Sequence, residues 1–409
     1  METKPELVVP AGNLEKFTIA LFYGADAVYI GGDHFNLRKR AHNFSKDELK
    51  IAVDFAKKNN KKTYFTLNSF LYERDITLLK KYLRSLSEIA FDAIIVADPG
   101  MLVLVRELLP ERKIHLSTQA NTLNQFSVHF WAQNGVSRII LARELTISEI
   151  ASITKTVSIE TELFIHGAVC LSYSGRCYLS KYMANRDANL GDCSQSCRWL
   201  YSLQEETRPG EYFPVFEEDS TSFILNTKDM CSIKQLPQLL SAGVSAFKIE
   251  GRMKSSYYVA ITTMIYRQAI DSFFSSSKEK TSNISSEELE MLSHRPYNYH
   301  PYEDGSNDVS ERISRHDARG IFLGLVTEVE KDNRVRVSVR NSLSVGENID
   351  IISPQKIFSA KIINIYDQKN KPVVVAHPNQ WVSVELSKKV SVNYILRRKK
   401  NKDQFSQGN

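Results

Sequence analysis

Cysteine is scarce in this chain of 409 residues and confined to one segment: Cys170, Cys177, Cys193, Cys197 and Cys231 are the whole set. No apolar run approaches the roughly 20 residues that span a bilayer. The opening Met1-Glu2-Thr3-Lys4-Pro5-Glu6 lacks the charged-then-apolar order of a secretory leader. These absences lead us to expect a cytoplasmic protein without membrane contact. In that reducing compartment, clustered cysteines argue for metal or redox chemistry rather than disulfides. Charge of one sign is also modest: 53 Lys and Arg against 47 Asp and Glu leave +6, which permits an anionic partner without requiring one. There is no Gly-rich dinucleotide fingerprint after any apolar run, no His-Glu-x-x-His and no Gly-x-Ser-x-Gly, so the familiar signatures of nicotinamide binding and of hydrolysis are missing.

What is present, from the start to about residue 275, is alternation of short β-rich apolar runs with amphipathic stretches of helical length. Candidate strands are Leu7 to Pro10, Ala27 to Ile30, Thr63 to Leu67, Ala93 to Ala97, Lys113 to Ser117, Arg138 to Ala142, Glu162 to His166, Ser222 to Asn226 and Ala246 to Glu250. That rhythm predicts a parallel sheet, closed as a (β/α)8 barrel rather than an open doubly wound sheet, with one of the nine candidates outside the closed set. Between 170 and 221 the rhythm stops in a Cys-, Ser-, Tyr-, Arg- and Asn-rich insertion, placed where barrel enzymes build active sites. Residues 276 to 315 read as a linker. From 316 to 400, short alternating strands imply a small C-terminal antiparallel β-barrel, followed by a tail over 401–409. The basic run Arg397-Arg398-Lys399-Lys400 fits a solvated terminus or a nucleic-acid contact.

Three constellations carry chemistry. Thiolates from separate loops ligate iron–sulfur clusters or zinc, and buried inert cysteines are the bland reading. Asn68, Asp98, Gln119, Arg143, Glu144, His166, Lys228, Glu250 and Arg252 fall just past strand ends, where barrel topology directs side chains to one mouth. Among them Arg143, Lys228 and Arg252 suit carboxylates or phosphate, and Glu144, Glu250 and His166 suit proton handling. Rim salt bridges would explain any one of these charges as well. The loop Phe35 to Phe44, with Arg38, Arg40 and Phe44, has the basic and aromatic texture of an RNA contact.

The segment Glu162-Leu163-Phe164-Ile165-His166-Gly167-Ala168-Val169-Cys170, continued by Ser174-Gly175-Arg176-Cys177-Tyr178-Leu179-Ser180, resembles the signature of the peptidase U32 family. Further likenesses run through Leu7-Val8-Val9-Pro10-Ala11-Gly12, Ser117-Thr118-Gln119-Ala120-Asn121, Ala142-Arg143-Glu144-Leu145, Asn226-Thr227-Lys228-Asp229-Met230-Cys231 and Phe247-Lys248-Ile249-Glu250-Gly251-Arg252-Met253-Lys254. The family was named for a collagenase-like protease activity. It includes hydroxylases of a tRNA wobble uridine that use prephenate, an rRNA hydroxylase, and a pair in oxygen-independent ubiquinone synthesis.

With one barrel and a C-terminal β-domain, the chain is most similar to the tRNA uridine hydroxylase branch. That resemblance implies a 4Fe-4S cluster on Cys170, Cys177, Cys193 and Cys231, with Cys197 as spare or substitute, and zinc as the other metal. It also implies tRNA, a prephenate-like organic acid and an accessory electron donor as partners. A U32-type peptidase, an rRNA cytidine hydroxylase and a non-catalytic RNA-binding factor are the rival expectations.

Overall fold

A computed structural model describes residues 4–38, 42–170, 172–199, 227–275, 285–304, 318–331 and 334–400, and the backbone of 202–204 and 212–214. The N-terminal unit is a closed parallel barrel. Its strands are β1 (Glu6–Pro10), β2 (Ala27–Ile30), β3 (Lys62–Leu67), β4 (Ala93–Val96), β5 (Lys113–Leu116), β6 (Arg138–Ile140), β7 (Glu160–Ala168) and a closing strand, Ala246–Ile249, which pairs with both β1 and β7. Apolar side chains fill nearly every strand position because helices cover the outer face. The crossover helices start where side chains can satisfy free N–H groups: Asn13 caps Leu14–Phe22, Asp98 caps Pro99–Leu108, and Ser45 with Glu48, like Thr146 with Glu149, forms a capping box.

The ninth sequence candidate, Ser222 to Asn226, lies outside the described residues. The extra strand of the structure is Asp229–Cys231, which runs antiparallel to the end of β7, outside the closed eight. Tyr297–Asn298 pairs with it in turn, so the described part of the expected linker, residues 285–304, is built onto the barrel. Within that piece Arg295 is buried and bonds Asp229 at 2.6 and 2.9 Å, and Tyr302 donates to the Phe164 carbonyl at 2.5 Å.

At the N-terminal end of the barrel the interior is charged. Arg138, 2% exposed, meets Glu6 at 2.7 Å, Glu160 at 2.5 Å and Glu162 at 3.2 Å, and Glu162, fully buried, also accepts from Lys248 at 2.7 Å. Breaking such a set strands a carboxylate in low dielectric. Arg138→Met is therefore expected to cost about 3–5 kcal/mol in denaturant unfolding. A loss below about 1 kcal/mol would show that water replaces the guanidinium.

The C-terminal unit is a six-stranded antiparallel barrel of Gly320–Val329, Arg334–Val339, Asn348–Ile352, Ile357–Tyr366, Trp381–Leu386 and Ile395–Lys399, closed by pairing of Asn348–Ile352 with Ile357–Tyr366. Here the basic run reads differently from its sequence texture. Arg397 is 0% exposed in the last strand, bonded to Asp350 at 2.6 Å, to Tyr257 at 3.3 Å and to Glu288. It ties the two barrels together rather than facing solvent or RNA. Tyr23 donates to the Ile352 carbonyl at 2.8 Å, and Tyr257 stacks on Phe322, along the same seam. Among the described residues no helix is long and apolar enough to cross a membrane.

Candidate functional site

The C-terminal ends of the barrel strands converge on Glu250, the residue after the closing strand. Its carboxylate accepts from Arg38 at 2.9 and 3.2 Å and from Tyr29 at 3.3 Å. Burial pushes this carboxyl up, but the guanidinium groups of Arg38, Arg143 and Arg252 outweigh burial and hold it below the usual range. Arg252 lies under the mouth, bonded to Asn36 at 3.1 Å, Asn43 at 2.7 Å and Thr66 at 3.4 Å. Burial lowers it to about 10. Gly31 is small for a reason: a Cβ there would stand 2.4 Å from the Arg252 guanidinium. Arg143 stacks over Phe164 at 4.3 Å and reaches the Ala168 carbonyl at 3.5 Å. The Nε atoms of Arg143 and Arg252 and the Oε1 of Gln119 are buried without a hydrogen-bond partner. Arg38, Arg143 and Arg252 act on Glu250, and on the cavity side Arg143 also faces Glu144, Glu303 and Asp304.

Above this pocket sits the insertion. Glu144 accepts from the Ser174 N–H at 2.6 Å and its hydroxyl at 3.0 Å, and Gln119 takes the Arg176 Nε at 2.8 Å on its carbonyl. Both residues thus anchor the cysteine loop to the barrel. Asn68 accepts from the Leu37 N–H at 3.3 Å, and Asp98 is a helix cap that also holds the Leu71 N–H, so these two shape loops. Lys228, half-buried, precedes the added strand Asp229–Cys231. A cavity of about 300 Å³ opens beside Cys170, lined by Arg143, Glu144, Tyr173, Ser174 and, from the far side, Glu303 and Asp304.

Four of the five thiols lie on the insertion. Burial pushes the Cys197 thiol up; Arg198 opposes it, and the neighbouring Cys170, Cys193 and Cys177 raise it further. Cys177 is held by a two-way clamp with Asn189, at 3.2 and 3.0 Å. The Cys193 sulfur accepts from the Gln195 N–H at 3.3 Å, and its carbonyl accepts from Arg186 at 2.8 Å. Cys231, which the resemblance places in the ligand set, is fully buried across from His166; it receives the Tyr266 hydroxyl at 3.9 Å, and burial pushes its thiol up to about 12. Among the described residues no three His, Cys, Asp or Glu side chains close around one metal ion. Thiols gathered on the insertion beside the barrel mouth are the ligand type that iron–sulfur clusters use.

Two expected site residues face other ways. His166 should share the inward face of Glu162 and Phe164 by strand alternation, but the register shift opposite Lys248 and Ile249 re-aims it toward the helix Ser256–Phe274. It sits 1% exposed among Tyr258, Tyr266 and Tyr297, its Nδ1 3.3 Å from the Tyr266 hydroxyl. Burial lowers it from 6.5 to about 3. Because the unfolded chain binds the proton first, stability should rise as pH climbs from about 3 to about 6.5 and flatten above. His166→Phe is expected to flatten that slope in thermal melts; an unchanged slope would assign it to other groups. Phe44 is likewise buried, edge-on to Phe17 at 6.4 Å, and is not presented for base stacking. Arg38 is committed to Glu250, and Arg40 lies outside the described residues. Sequence reasoning missed Asn36, Asn43 and Thr66, which share Arg252 as a partner, and Tyr29, which donates to Glu250.

Comparison with known proteins follows the same architecture. Residues 12–309 match the model of peptidase family U32, and residues 319–397 match the family's C-terminal domain. The chain is 38% identical over 408 residues to tRNA hydroxylation protein P1 of Bacillus subtilis, covering 97% of this chain and 95% of that protein. It is 35% identical to tRNA hydroxylation protein P of Escherichia coli, covering 96% of each. It is 33% identical over 368 residues to a 23S rRNA 5-hydroxycytidine synthase of Escherichia coli, covering 86% of this chain but 53% of that one.

Proposed function

The chain belongs to peptidase family U32, and from that premise we propose that it hydroxylates carbon 5 of a tRNA wobble uridine, with prephenate or a closely similar dianion as co-substrate. The reading rests on one arrangement: four thiols of the insertion beside a buried pocket in which Arg38, Arg143 and Arg252 surround Glu250. Cys170, Cys177, Cys193 and Cys197 would hold a 4Fe-4S cluster. When bound, such a cluster supplies one-electron chemistry that side chains alone do not provide at a pyrimidine carbon.

The chain's own residues do the rest. Arg143 and Arg252, each with an unpartnered buried Nε, bind and orient the carboxylates of the acid. Glu250, ionised and hydrogen-bonded to Tyr29, accepts a proton near the reacting centre once Arg38 turns to the ligand. Glu144 and Gln119 hold the insertion over the pocket and exclude water. A cysteine-peptidase reading needs His166 beside Cys170, but His166 is enclosed by tyrosines on the helix side of β7 while Cys170 is exposed at the mouth.

Mass spectrometry of tRNA nucleosides from a deletion strain tests the proposal. Loss of 5-hydroxyuridine derivatives, restored by the wild-type gene and not by Cys170→Ala, is the expected result. Unchanged tRNA with altered rRNA would move the substrate to the ribosome, and unchanged nucleosides in both would leave a binding factor or a peptidase.

A further inference from the structure

The sequence offered the loop around Arg38 and Phe44 for RNA contact, and both side chains are committed within the fold. The exposed rings lie elsewhere. Tyr173, Tyr178, Tyr182 and Trp199, all on the insertion, and Tyr72, on the loop after β3, are all exposed, with Tyr182 at 76% and Tyr178 at 68%. Burying aromatic area is worth more than burying most other side chains, so five open rings around one barrel mouth call for an occupant.

Their placement is tied down. Tyr178 and Tyr182 lie one turn apart, the Tyr182 N–H bonding the Tyr178 carbonyl at 3.0 Å at the start of the helix Leu179–Ala184. Tyr72 reaches Asp187 at 3.5 Å, and Lys181 reaches the same carboxylate at 3.5 Å, so Tyr72 stands beside that helix. The turn Ser196–Arg198, which precedes Trp199, is fastened to the helix by the hydroxyl chain Ser180, Ser194 and Ser196, at 3.0 and 2.6 Å. Tyr173 lines the cavity beside Cys170 and Arg143, so the ring surface runs into the pocket.

Cations are interleaved with the rings. Arg74 stacks over Tyr72 at 4.7 Å, and among the described residues of the insertion Arg176, Lys181, Arg186 and Arg198 outnumber Asp187 and Asp192. Rings that can stack any base, set among groups that neutralise phosphate and leading to a pocket for one extruded base, are the equipment for single-stranded nucleic acid. A protein-docking face would carry an aliphatic centre, whereas Met183 is the one large aliphatic residue exposed on the described part of the insertion.

We propose that the exposed rings of the insertion, led by Tyr178 and Tyr182, are the platform on which a single-stranded RNA loop stacks before its target base enters the pocket. The inference rests on the proposed RNA substrate, but assigns its docking to these rings rather than to the loop at Arg38 or the C-terminal barrel.

The test uses the full holoprotein, purified anaerobically, and a fluorescent anticodon stem-loop RNA with uridine at the wobble position. Tyr178→Ala and Tyr182→Ala should each weaken binding about five- to a hundred-fold, Tyr178→Phe should stay within about two-fold because the ring remains, and iron content should not change. Binding by the Tyr178→Ala/Tyr182→Ala double variant equal to wild type, or loss of a co-purifying protein without loss of RNA, overturns the proposal. The two readings separate cleanly. Weakened RNA binding in a protein that makes no hydroxylated uridine sinks the activity and leaves the platform, while full hydroxylation by the double variant sinks the platform and leaves the activity.

Discussion

Cys197→Ser is expected to strip most of the iron and abolish tRNA hydroxylation, while Cys231→Ser leaves both near wild type. A metal ligand must be a thiolate; burial raises both thiols, but their neighbours differ. Cys231 is sealed behind β7, with Tyr266 donating to its sulfur and burial pushing it up to about 12, so its neutral thiol is the stable form. Cys197 is half-buried and within electrostatic reach of Cys170, Cys177 and Cys193, with Arg198 beside it to favour the charged form. Weakening a mere supporting contact of a ligand already costs about ten- to a hundred-fold, so losing a ligand should cost at least the upper end of that range. Iron per chain, visible absorption and nucleoside mass spectrometry read the outcome. Retained iron in Cys197→Ser together with lost iron in Cys231→Ser would return the buried cysteine to the ligand set and require the added strand Asp229–Cys231 to move on cluster binding.

Arg143→Gln should raise the KM for the organic acid about a hundred-fold or more, the size expected when one member of a buried charge pair is removed. Arg143→Lys should recover only part of the loss, because an ammonium cannot offer a bidentate fork or stack flat over Phe164. Glu250→Gln should behave in the opposite way. With one carboxylate fewer in the pocket the acid binds at least as well, but kcat falls about 10²- to 10⁴-fold if that carboxylate takes the proton. The split between KM and kcat is the informative part. Were Arg143→Gln to lower kcat alone, Arg143 would act on the reacting atoms and the carboxylate site would have to be built from Arg38 and Arg252.

Much of this was legible in the sequence, for reasons that differ by element. The parallel barrel followed from runs such as Ala27–Ile30 and Ala93–Val96, apolar on both faces and spaced by helix-length stretches, a pattern that only a sheet covered on both sides satisfies. The C-terminal barrel followed from alternation in Arg334–Val339 and Trp381–Leu386. Strand ends pointed to Arg143, Glu250 and Arg252 because topology alone gathers the residues after parallel strands at one mouth. The clustering of Cys170, Cys177 and Cys193, on which the proposed cluster rests, is itself a feature of the sequence.

What depended on partners far along the chain was not legible. Whether Cys197 or Cys231 joins the other thiols depends on how a loop without βα rhythm folds back over the barrel. His166 left the pocket because a single register shift against the closing strand reversed its face, and no local pattern in β7 announces such a shift. Arg397 looked like a solvated tail until Asp350, Tyr257 and Glu288 surrounded it. Phe44 looked like a stacking ring until Phe17 covered it. Periodicity and composition act through neighbours in the chain and so determined the two barrels and their order. The identity of each charge's or ring's partner is a long-range contact, and only the tertiary structure decided it.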